Sequence, residues 1–245
     1  MLCPARLEPD LVILRWLNID HVCAGEWRSL AALLDAQERA RAARFAFAAD
    51  REAYVAAHAL TRRALACFAS ASPMALRFAA DDYGKPSLVD PPSARQLQFS
   101  LSHTRGLVGV GIAMARDVGV DVERIAEDRI GIELAERILP AAEVAYLRRQ
   151  PEAARAGATM VVWTLKEAYV KAIGKGLSYP LDAFVVLPDA PELRDDARSA
   201  DDASTWLLHS QRIEPQFVMG LAARRRRDET LRIDARETTA AEILS

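Results

Sequence analysis

Gly119-Val120-Asp121-Val122-Glu123 and Trp163-Thr164-Leu165-Lys166-Glu167-Ala168-Tyr169-Val170-Lys171 decide how this chain is read. In the first phrase Asp121 and Glu123 alternate with valines, so a strand points both carboxylates to one face. In the second, Glu167 and Lys171 stand one helical turn apart and share a face. Ala172-Ile173-Gly174-Lys175-Gly176 follows, and its glycines end a helix and let backbone approach a ligand. The two patterns predict a carboxylate-bearing strand beside a carboxylate-bearing helix. Three acidic oxygen donors then meet one ammonium, the donor set of a hard cation held next to a phosphate. That chemistry points to magnesium-assisted attack on a phosphoryl group.

Plainer readings stand beside these. Asp121 and Glu123 also fit the solvated face of an edge strand, and Glu167 with Lys171 also fits a surface ion pair. Adjacent carboxylates repel unless a cation or proton intervenes, which gives the metal reading its force.

Outward from the first phrase, Leu97–Leu101 and Leu107–Met114 alternate as strands. Arg116-Asp117 makes a tight connection, so Val118–Glu123 is expected to pair with Leu107–Met114 as a hairpin. Further upstream, Leu11–Leu17 reads as a strand. Ser29–Arg44 is helical, with Asp35 and Glu38 spaced as a capping box that divides it in two. A second helix runs from Asp50 to about Phe68, and Asp81-Asp82-Tyr83-Gly84-Lys85-Pro86 is turn chemistry. Downstream, Pro140 separates helices Ile132–Leu139 and Ala142–Arg149, and Arg155–Ile173 is the longest helix. Asp182–Leu187, Trp206–Arg212 and Phe217–Ala222 are expected strands, Asp189–Ala203 an exposed loop, and the residues after Arg224 a polar tail or edge. Leu107–Ala113 and Phe217–Ala223 echo each other in glycine and valine content, which permits two similar halves.

The 245 residues suffice for one large or two small domains, and 51% hydrophobic with 27% charged residues is ordinary for a globular protein. A net charge of −2 offers no field for nucleic acid. Arg224–Arg227 is a local basic run in an acidic chain. Cys3, Cys23 and Cys67 are odd in number and scattered, which predicts neither a disulfide framework nor a zinc cluster. No signal-peptide core opens the sequence and charges interrupt every apolar run, so a monomeric cytoplasmic protein away from membranes is expected. Ser102 and His103 follow a strand and can each bond a phosphate. Lys85 and Arg41 fit either solvated positions or phosphate contacts.

Phe99-Ser100-Leu101-Ser102-His103-Thr104, Gly119-Val120-Asp121-Val122-Glu123 and Trp163-x-x-Lys166-Glu167-Ala168-x-x-Lys171-x-x-Gly174-x-Gly176, with Tyr83-Gly84-Lys85-Pro86 before them, resemble the signature of Sfp-type 4′-phosphopantetheinyl transferases. The likeness runs from about Arg41 to Leu181. It implies an α+β fold of two similar subdomains related by a pseudo-twofold, 1–117 and 118–245, with the active site at their junction. Coenzyme A is implied as donor, magnesium as cofactor, and a serine of an apo acyl or peptidyl carrier protein as acceptor.

Metal ligands fall by resemblance on Asp121, Glu123 and Glu167, and Glu167 is the candidate base. Lys171 sits on the diphosphate with Lys166 nearby. Ser102, His103 and Lys85 hold the 3′-phosphoadenosine end, helped by Arg41. Where the family's best-known members carry a second basic residue one turn before Arg41, this chain has Glu38, and Arg51 or Arg62 is the expected substitute. Arg124–Leu139 leaves the metal strand directly. Its arginines 124, 129 and 137 and aliphatics 125, 130, 132 and 139 suit an acidic carrier helix, or the aliphatics serve the protein's own core. The competing activity is a magnesium-dependent nucleotide diphosphate hydrolase, which needs the same acidic site and no protein acceptor.

Overall fold

The computed structural model describes residues 2–125, 132–176, 179–188, 192–195 and 204–245. In chain order the elements are β1 (Leu11–Asn18), α1 (Trp27–Ala32), α2 (Ala36–Ala42), α3 (Ala48–Ala69), β2 (Arg77–Ala80), β3 (Pro86–Asp90), β4 (Leu97–Thr104), β5 (Leu107–Met114), β6 (Val118–Arg124) and α4 (Ile132–Ile138). They continue with α5 (Ala141–Arg149), α6 (Glu152–Ala172), β7 (Phe184–Leu187), β8 (Glu192–Asp195), β9 (Trp206–Ile213), β10 (Phe217–Arg224), β11 (Arg232–Glu237) and α7 (Ala240–Leu244). The fold is α+β and divides into two compact units. One is Met1–Arg116 with Leu231–Ser245, the other Asp117–Thr230.

In the first unit a sheet of order β11-β1-β5-β4 carries α3 across it. The Asp35–Glu38 capping box starts α2, with Asp35 accepting from the Glu38 N–H and Glu38 reaching back to the Asp35 N–H. That box is what separates α1 from α2. The alanine-rich α3 turns Tyr54, Leu60 and Leu65 inward against Leu97, Phe99 and Ile112. The β2–β3 hairpin closes on Asp81, whose carboxylate accepts from the N–H groups of Tyr83 and Lys85, while Gly84 takes a left-handed φ of 85°.

In the second unit a three-stranded antiparallel sheet of order β6-β10-β9 packs against α6. The core joins Leu165, Ala168, Tyr169, Phe184, Val186, Leu193, Trp206 and Ala222. A smaller cluster of Ala135, Leu139, Tyr146, Leu147 and Val162 seats α4 and α5 on α6.

Three expectations change. The β5–β6 hairpin does not form, because both edges of β5 are taken by β1 and β4; β6 pairs with β10 instead. The residues after Arg224 are not all part of the C-terminal subdomain. β11 lies parallel to β1, Leu11 beside Arg232 through Trp16 beside Glu237, and α7 buries Ala240 and Ile243 in the first unit's core. Within the expected loop 189–203, Glu192–Asp195 is strand β8, paired with β7; 189–191 and 196–203 lie outside the described residues. So do 126–131 of the expected carrier-facing segment. Among the described residues, no helix is long and apolar enough to cross a membrane.

Candidate active site

The site in the second unit is built by two glycines. Gly119, Asp121 and Glu123 share one face of β6 by strand alternation, and Gly220 of β10 stands opposite Asp121. A Cβ on Gly119 would lie 1.9 Å from the Ala168 carbonyl oxygen and 2.5 Å from the Ala172 nitrogen. One on Gly220 would lie 2.6 Å from the Thr164 carbonyl oxygen. The backbone of α6 therefore rests on bare strand backbone, which only glycine permits. At that separation the helix residues flanking Ala168 reach the acidic strand. Lys171 Nζ donates to Asp121 Oδ1 at 2.6 Å.

Asp121 is 5% exposed and Glu167 8%, while Glu123 and Lys171 are half-buried. The Glu167 carboxyl is pushed above its ordinary range, first by burial, then by the charge of Asp121, with Glu123 adding to it; only Lys171 opposes. The charges of Asp121 and Glu123 both raise Glu167 while the Lys171 ammonium lowers it, a repulsion that a hard cation would relieve. The donor set, all carboxylate oxygen, fits magnesium. As the side chains stand, Lys171 occupies the contact with Asp121. Among the described residues no three His, Cys, Asp or Glu are gathered closely enough to ligate a metal.

The remaining expected site residues lie in the first unit. Ser102 and His103 are neighbours on β4 opposite Gly109 and Val108, with Ser102 buried and His103 exposed. The Asp50 carboxyl is held below its usual range, by Arg105 above all and with His103 contributing, so these three groups form a small charged cluster. Lys85 is half-buried at the start of the strand returning from the Asp81 turn. Arg41 is exposed in the last turn of α2, its guanidinium 5.8 Å from the Tyr54 ring centre.

Two expected phosphate contacts are corrected. Lys166 does not face the acidic cluster. It is fully buried, donating to Glu143 at 2.6 Å and to the Phe184 carbonyl at 2.5 Å, with the Phe184 ring 3.9 Å away. One step along a helix from Glu167 is a rotation of about 100°, enough to turn it into the core. Arg62 cannot replace a nucleotide-binding base either. It is fully buried and donates to Glu38 and Asp35, both at 2.6 Å, and to the Pro73 and Leu76 carbonyls. Arg51 remains exposed on α3. Leu139, one of the aliphatics offered to a carrier, is buried in its own unit.

Sequence reading missed Gly119 and Gly220 as positioning residues. A glycine inside a valine-rich strand was the available signal. It also missed Glu143, which lies far from Lys166 in sequence and carries no local mark.

Comparison with known proteins follows the same division. A family model described as the 4′-phosphopantetheinyl transferase superfamily matches residues 117–222. One described as 4′-phosphopantetheinyl transferase, N-terminal, matches 21–114. Putative 4′-phosphopantetheinyl transferase slr0495 of Synechocystis sp. is 30% identical over 74% of this chain and 72% of its own length. The transferase HetI of Nostoc sp. is 32% identical over 62% of this chain and 64% of its own. The transferase ffp of Bacillus subtilis is 28% identical over 80% and 84%. These matches define a phosphopantetheinyl-transferring class of enzyme. The chain belongs to the 4′-phosphopantetheinyl transferase superfamily, and to its Sfp type.

Proposed function

We propose that this protein transfers 4′-phosphopantetheine from coenzyme A to a serine hydroxyl of an apo acyl or peptidyl carrier protein, with magnesium, releasing adenosine 3′,5′-bisphosphate. The observation that carries this reading is the Asp121–Lys171 contact with a buried Glu167 beside it, whose affinity for protons burial and Asp121 raise. A serine needs a base to attack phosphorus. A carboxylate whose affinity for protons is raised toward the working pH is a better base than an exposed one. Glu167 takes the serine proton as the serine oxygen bonds to the phosphorus bearing pantetheine. The bond from that phosphorus to the bridging oxygen breaks, and the electron pair leaves with the nucleotide. The Lys171 ammonium swings from Asp121 to phosphate oxygens and offsets their charge. Asp121, Glu123 and Glu167 would hold the magnesium ion, which supplies charge neutralisation at the diphosphate. Arg41, Lys85, Ser102 and His103 take the 3′-phosphoadenosine end. The carrier docks along the segment from Arg124 to Leu139, where Arg124 and Arg137 are exposed.

The test is incubation with coenzyme A, magnesium and a panel of apo carrier proteins, read by intact mass. A carrier heavier by one phosphopantetheine group is the expected result. Free phosphopantetheine with every carrier unmodified would overturn the reading in favour of hydrolysis.

A further inference from the structure

The hairpin that joins β4 to β5 carries an arginine outside the expected set of nucleotide contacts. Thr104 pairs with Leu107, so Arg105 and Gly106 form a two-residue turn, with Gly106 at a φ of 100°. Along β4, Leu97, Phe99, Leu101 and His103 alternate onto one face. Leu97 and Phe99 share a core with the buried face of α3, and Leu101 packs against that core. His103 continues this row and ends it at the surface, exposed. Arg105 turns to the same side, because its guanidinium reaches Asp50 in the first turn of α3. Two residues span at most about 7 Å of chain, so His103 and Arg105 bring an imidazole and a guanidinium to one patch of surface.

The guanidinium is held on two sides and open on the third. Nε donates to Asp50 Oδ1 at 2.9 Å and Nη2 to Asp50 Oδ2 at 3.2 Å, which occupies its side edge. Its central carbon lies over the ring of Phe47, the N-cap residue of α3, 5.8 Å from the ring centre. Nη1 donates to no described residue, and the side chain is 63% exposed. So exposed an arginine–aspartate pair adds little to stability. What the pair does is order the planar fork before a ligand arrives, with its Nη1 end left open. Two parallel N–H groups suit the oxygens of a phosphate, and an imidazole beside them supplies another donor. Asp50 is the acid against this guanidinium, and the two bonds it accepts offset its charge. On α2 the Glu38 position offers no cation, and Arg62 is committed to Glu38 and Asp35.

Taking the transferase reading above as given, we propose that Arg105 binds the 3′-phosphate of coenzyme A beside His103. It thereby makes the protein select coenzyme A over 3′-dephospho-coenzyme A, and it supplies from the β4–β5 turn the cation that α2 lacks. A donor without the 3′-phosphate leaves the fork unfilled and gains nothing from it.

Initial rates of carrier modification are measured at low salt with coenzyme A and with 3′-dephospho-coenzyme A. Wild type is expected to favour coenzyme A. In Arg105→Ala the apparent KM for coenzyme A rises by about tenfold or more. Its kcat at saturation and its KM for the dephospho form stay at wild-type values. Arg105→Lys keeps the charge, loses the fork and falls between. Arg232→Ala breaks an equally exposed arginine–aspartate pair, Arg232 with Asp10, and leaves both donors unaffected. Calorimetry without carrier gives a second readout: Arg105→Ala weakens binding of adenosine 3′,5′-bisphosphate and leaves binding of AMP unchanged. A wild type that modifies no carrier would overturn the transferase reading, and calorimetry would still decide the role of Arg105. A wild type that uses both donors equally would overturn the assignment of Arg105. So would an Arg105→Ala variant that keeps the full preference for the 3′-phosphate, or one that raises KM for both donors alike.

Discussion

Asp121 concentrates the conflict on which the proposed chemistry rests. It is nearly buried, it holds Lys171, and its charge raises the affinity of Glu167 for protons. Asp121→Asn preserves shape while removing one of three repelling carboxylates. Transfer to carrier is expected to fall by about a hundredfold or more, while the midpoint of unfolding without ligand stays level or rises. Turnover of the Asn variant at the wild-type rate would remove Asp121 from the machinery. Glu38 makes the opposite case, a charged residue turned wholly to structure. Burial alone would raise its carboxyl, but His58, Arg62 and the Asp35 N–H together hold it down at about 2. A depressed carboxylate contributes stability that is present above its unfolded value of 4.5 and is lost as pH falls through about 2. Glu38→Gln is therefore expected to lower stability at neutral pH by on the order of 3 kcal/mol. Urea titrations should show the difference closing between pH 4.5 and 2. A difference unchanged across that range would contradict the pairing. The capping box made half of Glu38's role legible in sequence. Its grip on Arg62, a turn and a helix away, left no local trace.

Elements were read more fully than their contacts. The 3.6-residue period and Pro140 located α4, α5 and α6, and valine alternation located β6, because these signals are local. What brings α6 onto β6 is the missing side chain of Gly119. Gly119→Ala would set a methyl against the helix backbone, which overpacks the layer by roughly 1–3 kcal/mol. It would also move Lys171 away from Asp121. Calorimetry and the carrier assay should both register the change, and a variant stable and active as wild type would show that the helix sits further off. On the inner side of α6 the Glu143–Lys166 pair has no exposure at all. Burial raises the Glu143 carboxyl and lowers the Lys166 ammonium, so each is pushed toward its neutral form. Lys166→Met alone leaves Glu143 buried without its cation and should destabilise by about 3–5 kcal/mol, whereas the double variant Lys166→Met, Glu143→Leu should recover most of that. Coenzyme A binding unaffected in the double variant would fit the correction that Lys166 lies off the site. A large rise in the apparent KM for coenzyme A would restore Lys166 to the diphosphate.

At the scale of the whole molecule, the α+β class was legible in the sequence, and where the chain ends up was not. Neighbouring segments usually pack together, so residues after Arg224 were expected to stay with the second unit. Instead β11 pairs with β1, a partner more than two hundred positions earlier, and parallel pairing at that distance has no signature in either strand. The structure explains why the return matters. Arg15 on β1 is 1% exposed, and its guanidinium donates to the carbonyls of Leu2 and Leu14 and to both the carbonyl and the carboxylate of Asp234 on β11. Deleting Leu231–Ser245 strips the anion from that cation and uncovers the edge of β1, besides removing Ala240 and Ile243 from the core. The loss falls on the first unit, whose sheet contains both strands. The truncated protein is therefore expected to unfold its first unit at a much lower temperature, or to lose it outright. Amide exchange should rise sharply in β1 and β5 and stay near wild type in β6 and β10. Adding Arg15→Met to the truncation removes the stranded charge and should recover part of the lost stability. If the truncated protein instead protected β1 as well as the full chain does, the C-terminal strand would be an ornament of the sheet and the buried guanidinium would owe its stability to Leu2 and Leu14 alone.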